Sequence, residues 1–283
     1  MSMIEKSLMS LGPHGFHKIA YAQWGDAHNN RALICVHGLT RTGRDFDFIA
    51  EALADVYRIA CPDLPGRGHS HWLAVHADYT PLTYMADMAA LIARLGVDEV
   101  DWIGTSLGGQ VGMLLAAQPN SPIRKLVLND IGAVITKPSL ERISGYVGKD
   151  PVFPDLAALE AYLRDVNAPF GPLTDAQWRH LAEHGARRDV QTESWRLHYD
   201  PGIAEPFKEG FSKDLELWPV WEAISSPTLI LRGAESDLLL KDTAEEMLTR
   251  GPEAELIEFP GVGHAPMLMD PAQIQAVREW LLD

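Results

Sequence analysis

The chain has 283 residues, of which 46% are hydrophobic and 22% charged, with a formal net charge of −15 and a pI near 5.1. This is an ordinary globular composition, long enough for one large domain or a domain carrying an insertion. A negative surface of this size repels phosphate backbones and anionic lipid, so no nucleic acid and no membrane partner is expected. The expected partner is a small molecule, and assembly into a homo-oligomer is left open.

The N-terminal stretch MSMIEKSLMSLGPHG lacks an apolar core of the length a secretory signal needs. No segment approaches the roughly 18 apolar residues of a membrane span. Cys35 and Cys61 fall in strand-like segments and cannot supply a disulfide framework for a chain this long. Buried free thiols and a cytoplasmic location are expected.

RALICVHG (31–38) reads as a buried strand, followed by a loop and a helix over Phe46–Leu53. YRIACPD (57–63) is the next strand, and the turn-rich LPGRGHS (64–70) follows it. Thr80–Leu95 carries Leu82, Met85, Met88, Ala89, Ile92 and Leu95 at helical spacing and stops at Gly96. Then come the strand VDWIG (100–104), the glycine cluster GTSLGG (104–109), a helix-like VGMLLAAQ (111–118) and the strand KLVLND (125–130). From about 135 to 217 the chain is rich in proline, arginine and aromatics. It shows helix-like patches, LEAYLRDV (159–166) and DAQWRHLAEHG (175–185) the clearest, without buried strand runs. Alternation resumes with PTLILRG (227–233), a helix near 241–250, AELIEFP (254–260) and a last helix from about Ala272 to Leu282.

Alternating strands and helices predict an α/β fold with a mostly parallel central sheet flanked by helices. Residues 1–134 and 218–283 form its core. Residues 135–217 read as an inserted helical cap over the sheet's carboxyl edge, where open α/β folds bind ligands.

Gly104, Ser106 and Gly108 match G-x-S-x-G between a strand and a helix, the context of a nucleophile elbow. A helix starting at Leu107 would aim amide N–H groups at a developing anion. A serine hydroxyl is a poor nucleophile until a base takes its proton. His264, in the glycine-rich loop FPGVGHAP after a strand, is the candidate base. Its acid is expected to be Asp237, in LILRGAESD, and Asp130, which ends KLVLND, is the second candidate.

With HG at 37–38, DLPGRGHS at 63–70, GTSLGG, GAESD and GVGHAP, the chain resembles the α/β-hydrolase fold superfamily over nearly its whole length outside the cap. The resemblance is to cap-bearing, carboxylesterase-like serine hydrolases. It implies a Ser106–His264–Asp237 triad, an oxyanion hole from the backbone N–H groups of Leu39 and Leu107, and no cofactor. The implied reaction is hydrolysis of a small or medium carboxylic ester through an acyl-enzyme. Epoxide hydrolases and haloalkane dehalogenases of this fold place an aspartate at the elbow, and serine argues against both. Two further readings stand beside the esterase. One is carbon–carbon bond hydrolysis of a ring-cleavage product, although those relatives commonly carry tryptophan after the catalytic histidine where this chain has Ala265. The other is a non-catalytic ligand-sensing protein on the same scaffold.

Arg41 and Arg44 follow the HG segment, and either guanidinium suits a substrate carboxylate. Arg41, Trp178 and Trp195 are the candidate substrate-binding residues. Asp63 and Arg67 are expected to brace a turn. HLAEH (180–184) matches H-x-x-E-H, but the sequence indicates no third ligand, so no metal is expected.

Overall fold

The computed structural model describes residues 3–283. β1 (Ile4–Gly12) and β2 (Gly15–Trp24) form an antiparallel hairpin, of which β2 is the better buried. β3 (Ala32–Val36) is buried throughout and β4 (Arg58–Pro62) nearly so, with α1 (Asp47–Leu53) between them. α2 (Pro81–Leu95) starts on Thr80, whose hydroxyl accepts the Thr83 N–H, and stops on Gly96 at φ +65°. β5 (Val100–Thr105), α3 (Leu107–Ala116) and β6 (Ile123–Asn129) complete the first half.

The chain then leaves the sheet through β7 (Val134–Ile135), α4 (Lys137–Ser144), α5 (Leu156–Val166) and α6 (Asp175–Gly185). It returns through β8 (Ala186–Arg188), β9 (Trp195–Leu197), β10 (Leu215–Glu216) and α7 (Trp218–Glu222). β7 pairs with β10, so the two ends of the excursion are joined at its neck, and β8 pairs with β9. The expectation of helical patches alone is thus corrected by two short ribbons. The excursion builds a small apolar cluster of its own from residues such as Leu159, Leu163, Trp178 and Leu181, joined by Met267 and Met269. β11 (Thr228–Gly233), α8 (Lys241–Met247), β12 (Ala254–Phe259) and α9 (Pro271–Leu282) finish the chain.

The main sheet runs β1-β2-β4-β3-β5-β6-β11-β12. Pairing is parallel from β4 to β12 and antiparallel among β1, β2 and β4. One face packs Trp102 and Leu126 against Met88 and Leu91 of α2. The other packs Leu33 and Ile103 against Ile49 of α1 and Val277 and Leu281 of α9. With both faces covered, the parallel strands can be apolar without alternation. The chain departs in opposite directions from β3 to β4 and to β5, so the crevice at the carboxyl ends of β3 and β5 is the topological switch point. His37–Leu39 follow one of these strands and Ser106 the other. Among the described residues no helix is long and apolar enough to cross a membrane.

Candidate active site

Ser106 sits between β5 and α3 at φ 51° and ψ −113°, a strained conformation for a residue with a side chain. Close packing requires the flanking glycines. A Cβ on Gly104 would lie 2.3 Å from the Gly108 carbonyl oxygen, and one on Gly108 2.0 Å from that of Val36. The turn is held from the next strand: the Ser106 N–H donates to the Asn129 carbonyl at 2.9 Å. Asn129 Nδ2 also donates to Thr105 Oγ1 at 2.9 Å and to the Pro266 carbonyl at 2.7 Å. Asn129 therefore ties the serine turn to the histidine loop. Its sequence signal is a polar residue closing an apolar strand, and the sequence reading did not single it out.

His264 Nε2 lies 3.1 Å from Ser106 Oγ, and His264 Nδ1 lies 2.6 Å from Asp130 Oδ2. Asp130 has no exposed surface. Its Oδ1 accepts the Gly233 N–H at 3.0 Å, and its Oδ2 also accepts the Ser236 hydroxyl. The acid expected against the imidazole, Asp237, is not there. Its side chain is 58% exposed and pairs with Arg142 at 2.7 Å. The cause is local: β6 and β11 are neighbours, so Asp130 and Asp237 emerge at the same sheet edge. Asp130, at φ +55°, meets the histidine, while GAESD contributes its serine rather than its aspartate.

Leu39 and Leu107 line the same cavity as Ser106. The Gly38 carbonyl is held by His37 Nδ1 at 2.7 Å and by the Arg41 N–H at 3.2 Å. In a planar trans peptide the next N–H, that of Leu39, points the opposite way. His37 Nε2 accepts the Leu64 N–H at 2.9 Å. Burial drives the His37 pKa down to about 3, so the ring stays neutral, donating from Nδ1 and accepting at Nε2. Arg67, fully buried, donates to the carbonyls of Leu39 at 2.8 Å and Pro65 at 2.7 Å and to Tyr84 Oη at 2.9 Å. Asp63 accepts the N–H groups of Gly43 and His69. Both residues brace the loops around the site.

Ser106 and His264 open into a cavity of about 820 Å³, walled by core loops and by Tyr146, Tyr162, Phe170 and Phe207 of the excursion. Arg41 lies in this wall, but its Nε and Nη2 grip Asp45 at 2.8 and 2.7 Å, so it is a braced ion pair. Arg44 is likewise committed to Asp47. Trp178 and Trp195 do not line the cavity, contrary to expectation. Trp178 is consumed in packing the excursion, stacked on Phe170 at 6.4 Å. Trp195 belongs to β9, its backbone bonded to Phe153 in both directions. Beside HLAEH, Asp47 brings a carboxylate oxygen within 4.8 Å of one ring nitrogen of each of His180 and His184.

The sequence profile of the alpha/beta hydrolase family matches residues 33–277. The 3-hydroxybutyrate-oligomer hydrolase of Cupriavidus necator is 48% identical over 271 residues, 93% of this chain and 92% of that protein. A Rickettsia typhi protein of known crystal structure superposes with a TM-score of 0.92 at 32% identity, over 100% of this chain and 99% of that one. An alpha/beta hydrolase from Novosphingobium aromaticivorans superposes with a TM-score of 0.87 at 34% identity, over 98% of each chain. With strand order, serine turn and sequence in agreement, the chain belongs to the alpha/beta hydrolase family and is a hydrolase.

Proposed function

We propose that this chain hydrolyses the ester bonds of short 3-hydroxyacyl oligomers through an acyl-enzyme on Ser106, with His264 as base and Asp130 as its acid. The observation that carries the reading is the unbroken relay Ser106 Oγ–His264–Asp130, at 3.1 and 2.6 Å, facing the cavity. Asp130 keeps the Nδ1–H tautomer, which leaves the Nε2 lone pair for the serine proton. As Oγ attacks the ester carbonyl, His264 takes its proton. The oxygen then bears negative charge, and the N–H groups of Leu39 and Leu107 are its proposed donors. As the ester C–O bond breaks, His264 returns the proton to the departing alkoxide oxygen, and water repeats the sequence on the acyl-enzyme.

The substrate class rests on the Cupriavidus necator relative and on the cavity. A volume of about 820 Å³ exceeds the needs of one four-carbon acid. It falls within the roughly 300–1,000 Å³ typical of small-molecule sites, with room for a dimer or trimer. Residues 135–217 serve as the cap of this cavity. The free buried thiols of Cys35 and Cys61 support a reducing compartment, and the cytoplasm is the proposed location.

The test is a substrate panel: 3-hydroxybutyrate dimer and trimer, p-nitrophenyl esters of rising acyl length, and a vinylogous diketone. Turnover of the oligomers with release of 3-hydroxybutyrate, lost in Ser106→Ala, is expected. Cleavage of the diketone in preference to every ester would overturn the reading.

A further inference from the structure

Away from the catalytic cavity, two imidazoles and a carboxylate converge where the excursion meets the core. His180 and His184 stand four residues apart on α6, and Asp47 opens α1. One ligand atom from each lies within 4.8 Å of the other two. His180 Nε2 is 3.5 Å from Asp47 Oδ2, and the two imidazole rings are 4.5 Å apart, edge to face. A tetrahedral zinc-class ion, with bonds of about 2.0–2.1 Å, holds its ligands roughly 3.4 Å apart. The His180–Asp47 edge already has that length. The other edges, at most 4.8 Å, need to contract by no more than about 1.4 Å, within the reach of side-chain rotation.

We propose that Asp47, His180 and His184 form a binding site for one divalent transition-metal ion, which fastens helix α6 of the excursion to helix α1 of the core.

Two imidazoles with one carboxylate select zinc, nickel or copper over calcium and magnesium, which prefer oxygen ligands. Spacing of i, i+4 on a helix keeps the two rings on one face without further ordering. The site is sheltered, with side-chain exposures of 8% for Asp47 and 19% for His180. His180 Nε2 now donates to the Arg44 carbonyl at 2.9 Å. On coordination through Nε2 that proton moves to Nδ1 of the same ring, and the ring remains neutral. No hydrogen bond engages the His184 ring among the described residues.

Arg44 is the opposing group. Its Nε donates to Asp47 Oδ2 at 2.8 Å, and its charge weakens attraction for a cation. A carboxylate has lone pairs for both partners, and a guanidinium then acts as the outer contact that orients it. The site adjoins the cavity without being part of it: Asp45 and Phe46, just before Asp47, and Gly185, just after His184, line the cavity wall.

The test uses the full chain freed of metal with EDTA, titrated with Zn²⁺ by calorimetry at pH 7.5, with Mg²⁺ as control. One saturable Zn²⁺ site per chain is expected, with a raised Tm and no Mg²⁺ heat. His184→Gln should weaken binding at least ten-fold, whereas His28→Gln, at an exposed histidine elsewhere, should leave it unchanged. Asp47→Asn strands Arg44 and can unfold the loop, so His184→Gln, confirmed folded by circular dichroism, carries the decision. No saturable binding to the wild type, or wild-type affinity retained in His184→Gln or in the His180→Gln/His184→Gln double variant, would overturn the proposal.

Discussion

Replacing Asp130 by asparagine preserves volume but removes a charge at a fully buried carboxylate that takes hydrogen bonds from Gly233, Ser236 and His264. An amide cannot serve all of them. With its oxygen on His264, its NH₂ confronts the Gly233 N–H. With its NH₂ on His264, Nδ1 must accept, and the ring proton moves to Nε2, where it occupies the lone pair meant for the Ser106 proton. A triad locked in the wrong tautomer loses about 10⁴ in kcat, roughly 5.5 kcal/mol of transition-state stabilisation. Asp237→Asn deletes half of an ion pair whose side chains are 41% and 58% exposed. Such surface pairs contribute about 0–1 kcal/mol, so the expected loss is at most about five-fold. The assay is kcat/KM on p-nitrophenyl butyrate for both variants, with thermal melts to establish folding. Asp130→Asn should also melt earlier, since an imperfectly paired buried group costs about 1–3 kcal/mol. If Asp237→Asn is the more damaging, or Asp130→Asn keeps over a tenth of the activity, the assignment of the acid is wrong.

Three further outcomes follow from the same geometry. His37→Phe frees the Gly38 carbonyl and the Leu64 N–H, so the Leu39 amide loses its aim; kcat should fall by about 10² with KM little changed. A larger effect on KM than on kcat would deny Leu39 an oxyanion role. Asn129→Ala removes the donor shared by Thr105 and Pro266 and should lower both kcat and Tm, the latter by about 1–3 kcal/mol of stability. Unchanged kinetics would show that the serine turn and the histidine loop are held independently. The buried His17–Asp87 pair, at 2.8 Å, raises the His17 pKa above its ordinary 6.5, chiefly through the hydrogen bond to Asp87. Its stabilisation is complete below 6.5 and fades as pH rises through the raised folded value. His17→Gln should therefore lower Tm more at pH 6 than at pH 9, and a pH-independent deficit would contradict the pairing.

The central strands were legible because burial on both sheet faces leaves an unbroken apolar run in the sequence, as in RALICVHG and PTLILRG. α2 was legible because it carries both periodicity and its stop, Gly96. The N-terminal hairpin was not. β1 exposes Ile4, Met9 and Leu11, at 51%, 55% and 62%, and so lacks the one-sided alternation that marks a strand. β8 and β9 have three residues each, below the length at which any period can be read. Trp178 and Trp195 misled for a related reason. An indole fits a ligand wall or a small helical core equally well, and only the packing of α5 against α6 decides which.

The acid shows where sequence reasoning about a site stops. Residue type and chain order placed Ser106 and His264 at loops that follow β5 and β12, and they restricted the acid to two aspartates at the ends of adjacent strands. Between those two the sequence holds no deciding signal, because each follows an apolar run and each can reach the same crevice. The choice lies in backbone direction: Asp130 in the left-handed region meets the imidazole, and the turn beyond β11 sends Asp237 outward to Arg142. Ser236, one residue before Asp237, then supplies a hydroxyl to Asp130, so the GAESD segment still serves the site through a different member. A strand-end motif thus predicts which segments converge. Which side chain within each segment arrives is set by one or two dihedral angles that composition does not encode.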